Sequence, residues 1–122
     1  MMKIISARVH GVLDYAVVGL FLIAPKGFHL SGVPSTMAYV LAAVHLGLTL
    51  LTKFPGGLLK LVPLSIHGGI EFIVSLGLMA SPWILSFSAD SNAQLFYIST
   101  GALVFIVWLF TDYKSVPQLK SA

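Results

Sequence analysis

Four long apolar runs, at residues 9–24, 37–54, 63–85 and 93–110, constrain this chain more than any other feature. A helix rises about 1.5 Å per residue, so roughly 20 apolar residues cross the ~30 Å hydrocarbon layer of a bilayer. Backbone polar groups cannot be left unpaired in lipid, so only helices and closed barrels span it. Barrel strands would be about half as long and would alternate apolar with polar residues, and these runs do not. The chain is 57% hydrophobic and 9% charged, with a mean hydropathy of +0.96. Soluble domains carry about 25% charged residues, so a soluble bundle is excluded. The expected fold is all-α, a transmembrane bundle of four helices in one integral membrane domain spanning residues 1–122.

Punctuation between the runs fits this plan. Residues 25–35 read as a Gly/Pro/Ser loop, with Pro25 closing the first helix and Pro34-Ser35-Thr36 opening the second. Pro55-Gly56-Gly57 breaks the second helix, and Pro63 suits the first turn of the third. Residues 86–92 read as a polar turn. The first run resembles a signal-peptide core. It contains His10 and Asp14, however, and is followed by Pro25-Lys26-Gly27, not by a small-residue cleavage site, so it reads as a retained span.

Charge sets the orientation. Lys3, Arg8, Lys53, Lys60, Lys114 and Lys120 fall on one side of four crossings; Lys26 and Asp90 fall on the other. By the positive-inside rule both termini face the cytoplasm. The same scattered cations form no basic face for phosphate, so no nucleic-acid partner is expected. There is no cysteine, which excludes disulfides and thiolate chemistry.

The chain also carries an internal repeat, residues 3–54 over residues 60–113. Lys3 aligns with Lys60, His10-Gly11 with His67-Gly68, Asp14-Tyr15 with Glu71-Phe72, and Ala24-Pro25 with Ser81-Pro82. Tyr39 over Tyr97 and Thr52 over Thr111 match more weakly. Two crossings per copy make the copies parallel, related by a pseudo-two-fold along the membrane normal. Here Ser81-Pro82-Trp83, and the segment LLKLVPLSIHGGIEFIVSLGLMASPW at residues 58–83, resemble the SPW-repeat family of small prokaryotic integral membrane proteins. The first copy departs from that pattern, with Ala24-Pro25-Lys26 in place of Ser-Pro-Trp. The resemblance implies this architecture and a location in the prokaryotic cytoplasmic (inner) membrane. It implies no biochemical activity.

The ionisable residues inside the runs are the candidate site. His10 and Asp14 are spaced i,i+4 and share one helix face, as do His67 and Glu71. His45 lies at the height of the two acids on a neighbouring helix. A charge in hydrocarbon costs at least ~2.5–3.5 kcal/mol, so these five groups should face one another. Such a cluster can glue helices, carry a proton or ion, or ligate a metal or haem. The i,i+4 spacing alone does not choose among them. No Ser or Thr has a nucleophile's context, so no enzyme activity is expected. No cofactor is required by the sequence. Gly11, Gly68 and Gly69 are expected to let helices approach beside the histidines, as is the Ala43–Gly47 step. Pro82 is expected to bend the third helix, and Trp83 and Tyr113 to anchor at the membrane interface. Besides the lipid bilayer, the expected partner is a second copy of the chain, as a homo-oligomer. A proton- or ion-coupled carrier or channel, or a metal- or haem-binding redox protein, are the alternatives to a non-catalytic oligomeric membrane component or small-ligand binder.

Overall fold

The computed structural model describes residues 2–114; Lys120 and the remainder of the polar tail lie outside them. The described residues form four helices and no strand: α1 (Ala7–Gly27), α2 (Gly32–Leu51), α3 (Leu64–Ile84) and α4 (Ser91–Phe110). All four are long and apolar enough to cross a membrane. Consecutive helices pair as hairpins, α1 on α2 and α3 on α4, whose backbones approach more closely within each hairpin than between the two.

Local chemistry explains the helix ends. Ser6 caps α1 by accepting from the Val9 amide, and Asp90 caps α4 by accepting from the Ala93 amide. Pro25 does not close α1, which continues to Gly27. The helix ends instead on a left-handed residue, His29 (φ 55°), after which the Leu30 amide reaches back to the Pro25 carbonyl. α3 ends in the same way: Ser86 is left-handed (φ 61°) and the Phe87 amide bonds the Pro82 carbonyl. This reach satisfies carbonyls that a helix end leaves orphaned. α2 begins earlier than Pro34 suggests, because proline is tolerated anywhere in the first turn, where its missing N–H is not needed.

Two short backbone bridges tie the hairpins together. Ile5 pairs with Thr111, so the lead into α1 is pinned to the end of α4; Thr52 pairs with Val62, pinning the end of α2 to the lead into α3.

Burial is inverted relative to a soluble protein. Large apolar side chains such as Val12, Ile23, Val44, Ile73 and Leu95 face outward, while His10, Asp14, His67 and Glu71 are buried. That is the pattern expected when the solvent is hydrocarbon. One apolar cluster, including Phe21, Ala38, Leu78, Phe96 and Tyr97, fills the bundle toward the two hairpin turns. Within it the Tyr97 hydroxyl donates to the Pro34 carbonyl at 2.6 Å, so its polar tip is satisfied. A smaller cluster of Ala7, Phe54 and Leu64, with Tyr113 against it, closes the opposite end. The polar residues lie between the two.

Candidate metal centre

The first and third helices project their i,i+4 pairs toward each other. His10 Nε2 lies 3.2 Å from Asp14 Oδ1 and 3.0 Å from Glu71 Oε2. His67 Nε2 lies 3.0 Å from Asp14 Oδ2 and 3.3 Å from Glu71 Oε1. Each imidazole therefore meets both carboxylates, and each carboxylate offers one oxygen to each imidazole. His45, from α2, approaches less closely, its Nε2 3.6 Å from Asp14 Oδ1. The two inner histidines are fully buried, and the two acids nearly so.

The far side of each imidazole fixes its tautomer. His10 Nδ1 lies 2.8 Å from Thr111 Oγ1, and His67 Nδ1 lies 2.7 Å from Thr52 Oγ1. Each threonine hydroxyl already donates its proton one turn back along its own helix, Thr111 to the Val107 carbonyl and Thr52 to the Leu48 carbonyl. Having no second proton, each hydroxyl can only accept from the imidazole. Both Nδ1 atoms therefore carry hydrogen, and in a neutral ring the Nε2 lone pair faces the carboxylates. Two lone pairs and two anions pointed at one another repel unless positive charge lies among them, as a metal ion or as protons on the imidazoles. The directions agree with this. Although close to the oxygens, the Nε2 atoms of His10, His45 and His67 make no aligned hydrogen bond, and neither does Asp14 Oδ2.

The spacing suits a small metal ion. One ligand atom from each of His10, Asp14, His67 and Glu71 falls within 4.8 Å of every other. Metal–ligand bonds of about 2.1 Å in a tetrahedron place neighbouring ligand atoms about 3.4 Å apart. With one ligand atom from each residue the set spreads to 4.8 Å, wider than that tetrahedron, so a bound ion would draw the carboxylates inward. Each histidine also has the oriented hydrogen bond on its outer nitrogen that metal-ligating histidines use. A haem does not fit: the His10 and His67 ring centroids are 5.5 Å apart, and the carboxylates occupy the space between the Nε2 atoms.

Contacts around the centre occur in matched pairs. Gly11 lies under the Phe54 ring and Gly68 under the Tyr113 ring; a Cβ at either glycine would collide with the aromatic. Their bareness thus serves two aromatic lids, not the close approach of one helix to another. Gly69 and Gly47 have no atom within 4 Å of where a Cβ would be, so neither packs against another helix of this chain, and Ala43 is exposed. Tyr113 is not an interfacial anchor. It is partly buried, its ring centroid 5.6 Å from that of His10, and its hydroxyl points to Glu71 Oε2 at 3.5 Å, long for a hydrogen bond. Burial, with the nearby Glu71 and Asp14 carboxylates, pushes its phenol well above the usual tyrosine range, so it stays protonated. Trp83, by contrast, is exposed near the α3 end, and Pro82 lies buried in the last turn of that helix.

Thr52, Thr111 and Phe54 are parts of the centre to which sequence reasoning assigned no role. The only signal was the alignment of Thr52 over Thr111, which places two hydroxyls at corresponding helix ends.

No protein-family profile matches the chain, and no curated protein or solved structure matches it either. Fold and site together define a multi-pass membrane protein with a buried His/carboxylate centre.

Proposed function

We propose that this protein holds one divalent transition-metal ion, zinc or iron(II) by the chemistry of its ligands, in the middle of its membrane domain. The ligands are His10, Asp14, His67 and Glu71. The observation that carries this reading is the convergence of two lone-pair-bearing nitrogens and two carboxylates, each imidazole being held in that tautomer by a threonine. Charge supports it. Two carboxylates and a divalent cation sum to zero, so the loaded centre is neutral overall in a medium where net charge is costly. Two imidazole and two carboxylate ligands suit zinc and iron(II) better than calcium or magnesium, which prefer oxygen alone.

The reading includes the duplicated architecture, with residues 3–54 and 60–113 as parallel repeats and both ends of the chain on the cytoplasmic side. The matched pairs of contacts, histidine to threonine, glycine to aromatic ring and helix end to left-handed residue, recur at offsets of about 57–59 residues and support it. It also includes membership in the SPW-repeat family, on the likeness at residues 58–83, and self-association through α2, the least buried of the helices.

Elemental analysis of the protein purified in mild detergent tests the reading. One equivalent of metal per chain is expected, lost in both His10→Ala and His67→Ala. Folded wild-type protein that takes up no zinc or iron would leave a protonated His–carboxylate cluster that joins helices or relays protons. Proton flux in liposomes, abolished by Asp14→Asn with Glu71→Gln, would then favour the relay.

A further inference from the structure

His45 is not needed to complete the four-ligand set, and the corresponding stretch of α4, residues 102–104, is Ala-Leu-Val. It is the one ionisable residue of the cluster without a counterpart. It lines a small cavity of about 50 Å³ beside the centre. Glu71 lines the same cavity, and the remaining walls are aliphatic or aromatic, among them Val44, Leu48, Ile70 and Val74. Val44, Ile70 and Val74 are also among the exposed apolar residues, so the cavity's outer edge meets the surface where α2 and α3 lie side by side. That surface is the lipid-facing one. His45 Nε2 is buried, 3.6 Å from Asp14 Oδ1, and makes no aligned hydrogen bond.

Together these features describe a place, not a packing defect. Zinc-type centres with four ligands can expand to five. The cavity offers the fifth ligand a position beside Glu71, and His45 offers it a hydrogen bond. At about 50 Å³ it exceeds the ~10–15 Å³ that a cavity needs to hold one water, so it has room for a small molecule. Its apolar walls and hydrocarbon-facing edge select against ions.

We propose that this cavity binds a small, uncharged, membrane-soluble ligand that enters from the hydrocarbon between α2 and α3, approaches the metal beside Glu71 and hydrogen-bonds to His45 Nε2. This rests on the metal reading above. Of the classes such a ligand spans, a dissolved gas molecule fits the volume and the apolar approach.

The test uses the full chain in lipid nanodiscs, loaded anaerobically with iron(II), and nitric oxide as the probe, read by electron paramagnetic resonance and stopped-flow absorbance. Wild type is expected to form an iron–nitrosyl signal. Val74→Trp, which fills the outer edge, should keep its iron and slow nitric oxide association by about tenfold or more. Ile70→Phe, across the opening, should do the same and serves if the first variant does not fold. His45→Leu should keep its iron and release nitric oxide faster. An iron-loaded wild type that forms no nitrosyl, or association unchanged in a folded edge variant, overturns the portal while leaving the metal site standing. Wild type that retains no iron overturns the metal reading, and the portal with it.

Discussion

Thr52→Val probes the centre without touching a ligand. Valine replaces the hydroxyl with a methyl of nearly the same size, so no cavity opens. The Thr52 hydroxyl accepts from His67 Nδ1 and donates to the Leu48 carbonyl, and it is fully buried. The imidazole N–H loses its partner and has no water to turn to. The Leu48 carbonyl loses its partner too, because the Thr52 amide bonds the Thr49 carbonyl and not that of Leu48. A buried donor left unpaired costs about 1–3 kcal/mol, and that is the expected loss of stability. The ring is also freed to rotate or change tautomer. Loss of such an outer partner typically weakens metal binding 10–100-fold, or about 1.4–2.7 kcal/mol. Thr111→Val should match it through His10. The double variant should depart from additivity, because both histidines bind the same ion. Competition with a chromogenic chelator measures affinity, and thermal unfolding in detergent measures stability. Thr52→Ser, which keeps the hydroxyl, should restore both. Wild-type affinity in a folded Thr52→Val protein would refute the tautomer argument from which the centre is built.

Other outcomes follow from the same geometry. Asp14→Asn or Glu71→Gln leaves a single carboxylate, so a bound divalent ion would carry net charge into hydrocarbon at a cost of at least ~2.5 kcal/mol; each variant should lose its metal on dialysis, and retention of a full equivalent would contradict the ligand set. The glycines should divide sharply. Gly11→Ala drives a methyl into the Phe54 ring and Gly68→Ala places one 2.7 Å from the Tyr113 ring, each costing about 1–3 kcal/mol by overpacking, whereas Gly69→Ala meets nothing and should be neutral or mildly stabilising on thermal unfolding. Tyr113 holds its proton in the folded state after the unfolded chain would release it, so stability should fall as pH rises past about 10. Tyr113→Phe should flatten that alkaline decline, and an identical pH profile would place the ring elsewhere.

Much of the architecture could be read from the residues because bilayer thickness fixes helix length, and because ionisable groups in hydrocarbon must find one another. His10 with Asp14, and His67 with Glu71, were visible as pairs for that reason. What could not be read was which atoms meet. Helix periodicity places His10 and Asp14 on one face, but only the crossing of α1 and α3 brings Glu71 to 3.0 Å from His10. The threonine partners were hidden because a threonine near a helix end usually bonds its own backbone; Thr52 and Thr111 do so, and accept from a histidine as well. Tyr113 was misassigned because a tyrosine just beyond a span commonly sits at the interface, and nothing local reveals that Gly68 clears a seat for it. Pro25 misled in the same way. Proline forbids an upstream hydrogen bond, but near a helix end its carbonyl still accepts, here from Leu30.

X-ray absorption at the metal edge of the zinc- or iron-loaded protein addresses the coordination itself. A first shell of four light atoms at about 2.0–2.1 Å is expected, with the outer-shell scattering of two imidazoles that disappears stepwise in His10→Ala and His67→Ala. A shell of oxygens alone, or imidazole scattering indifferent to those two substitutions, would mean that the ion binds elsewhere and that the buried cluster only holds the helices together.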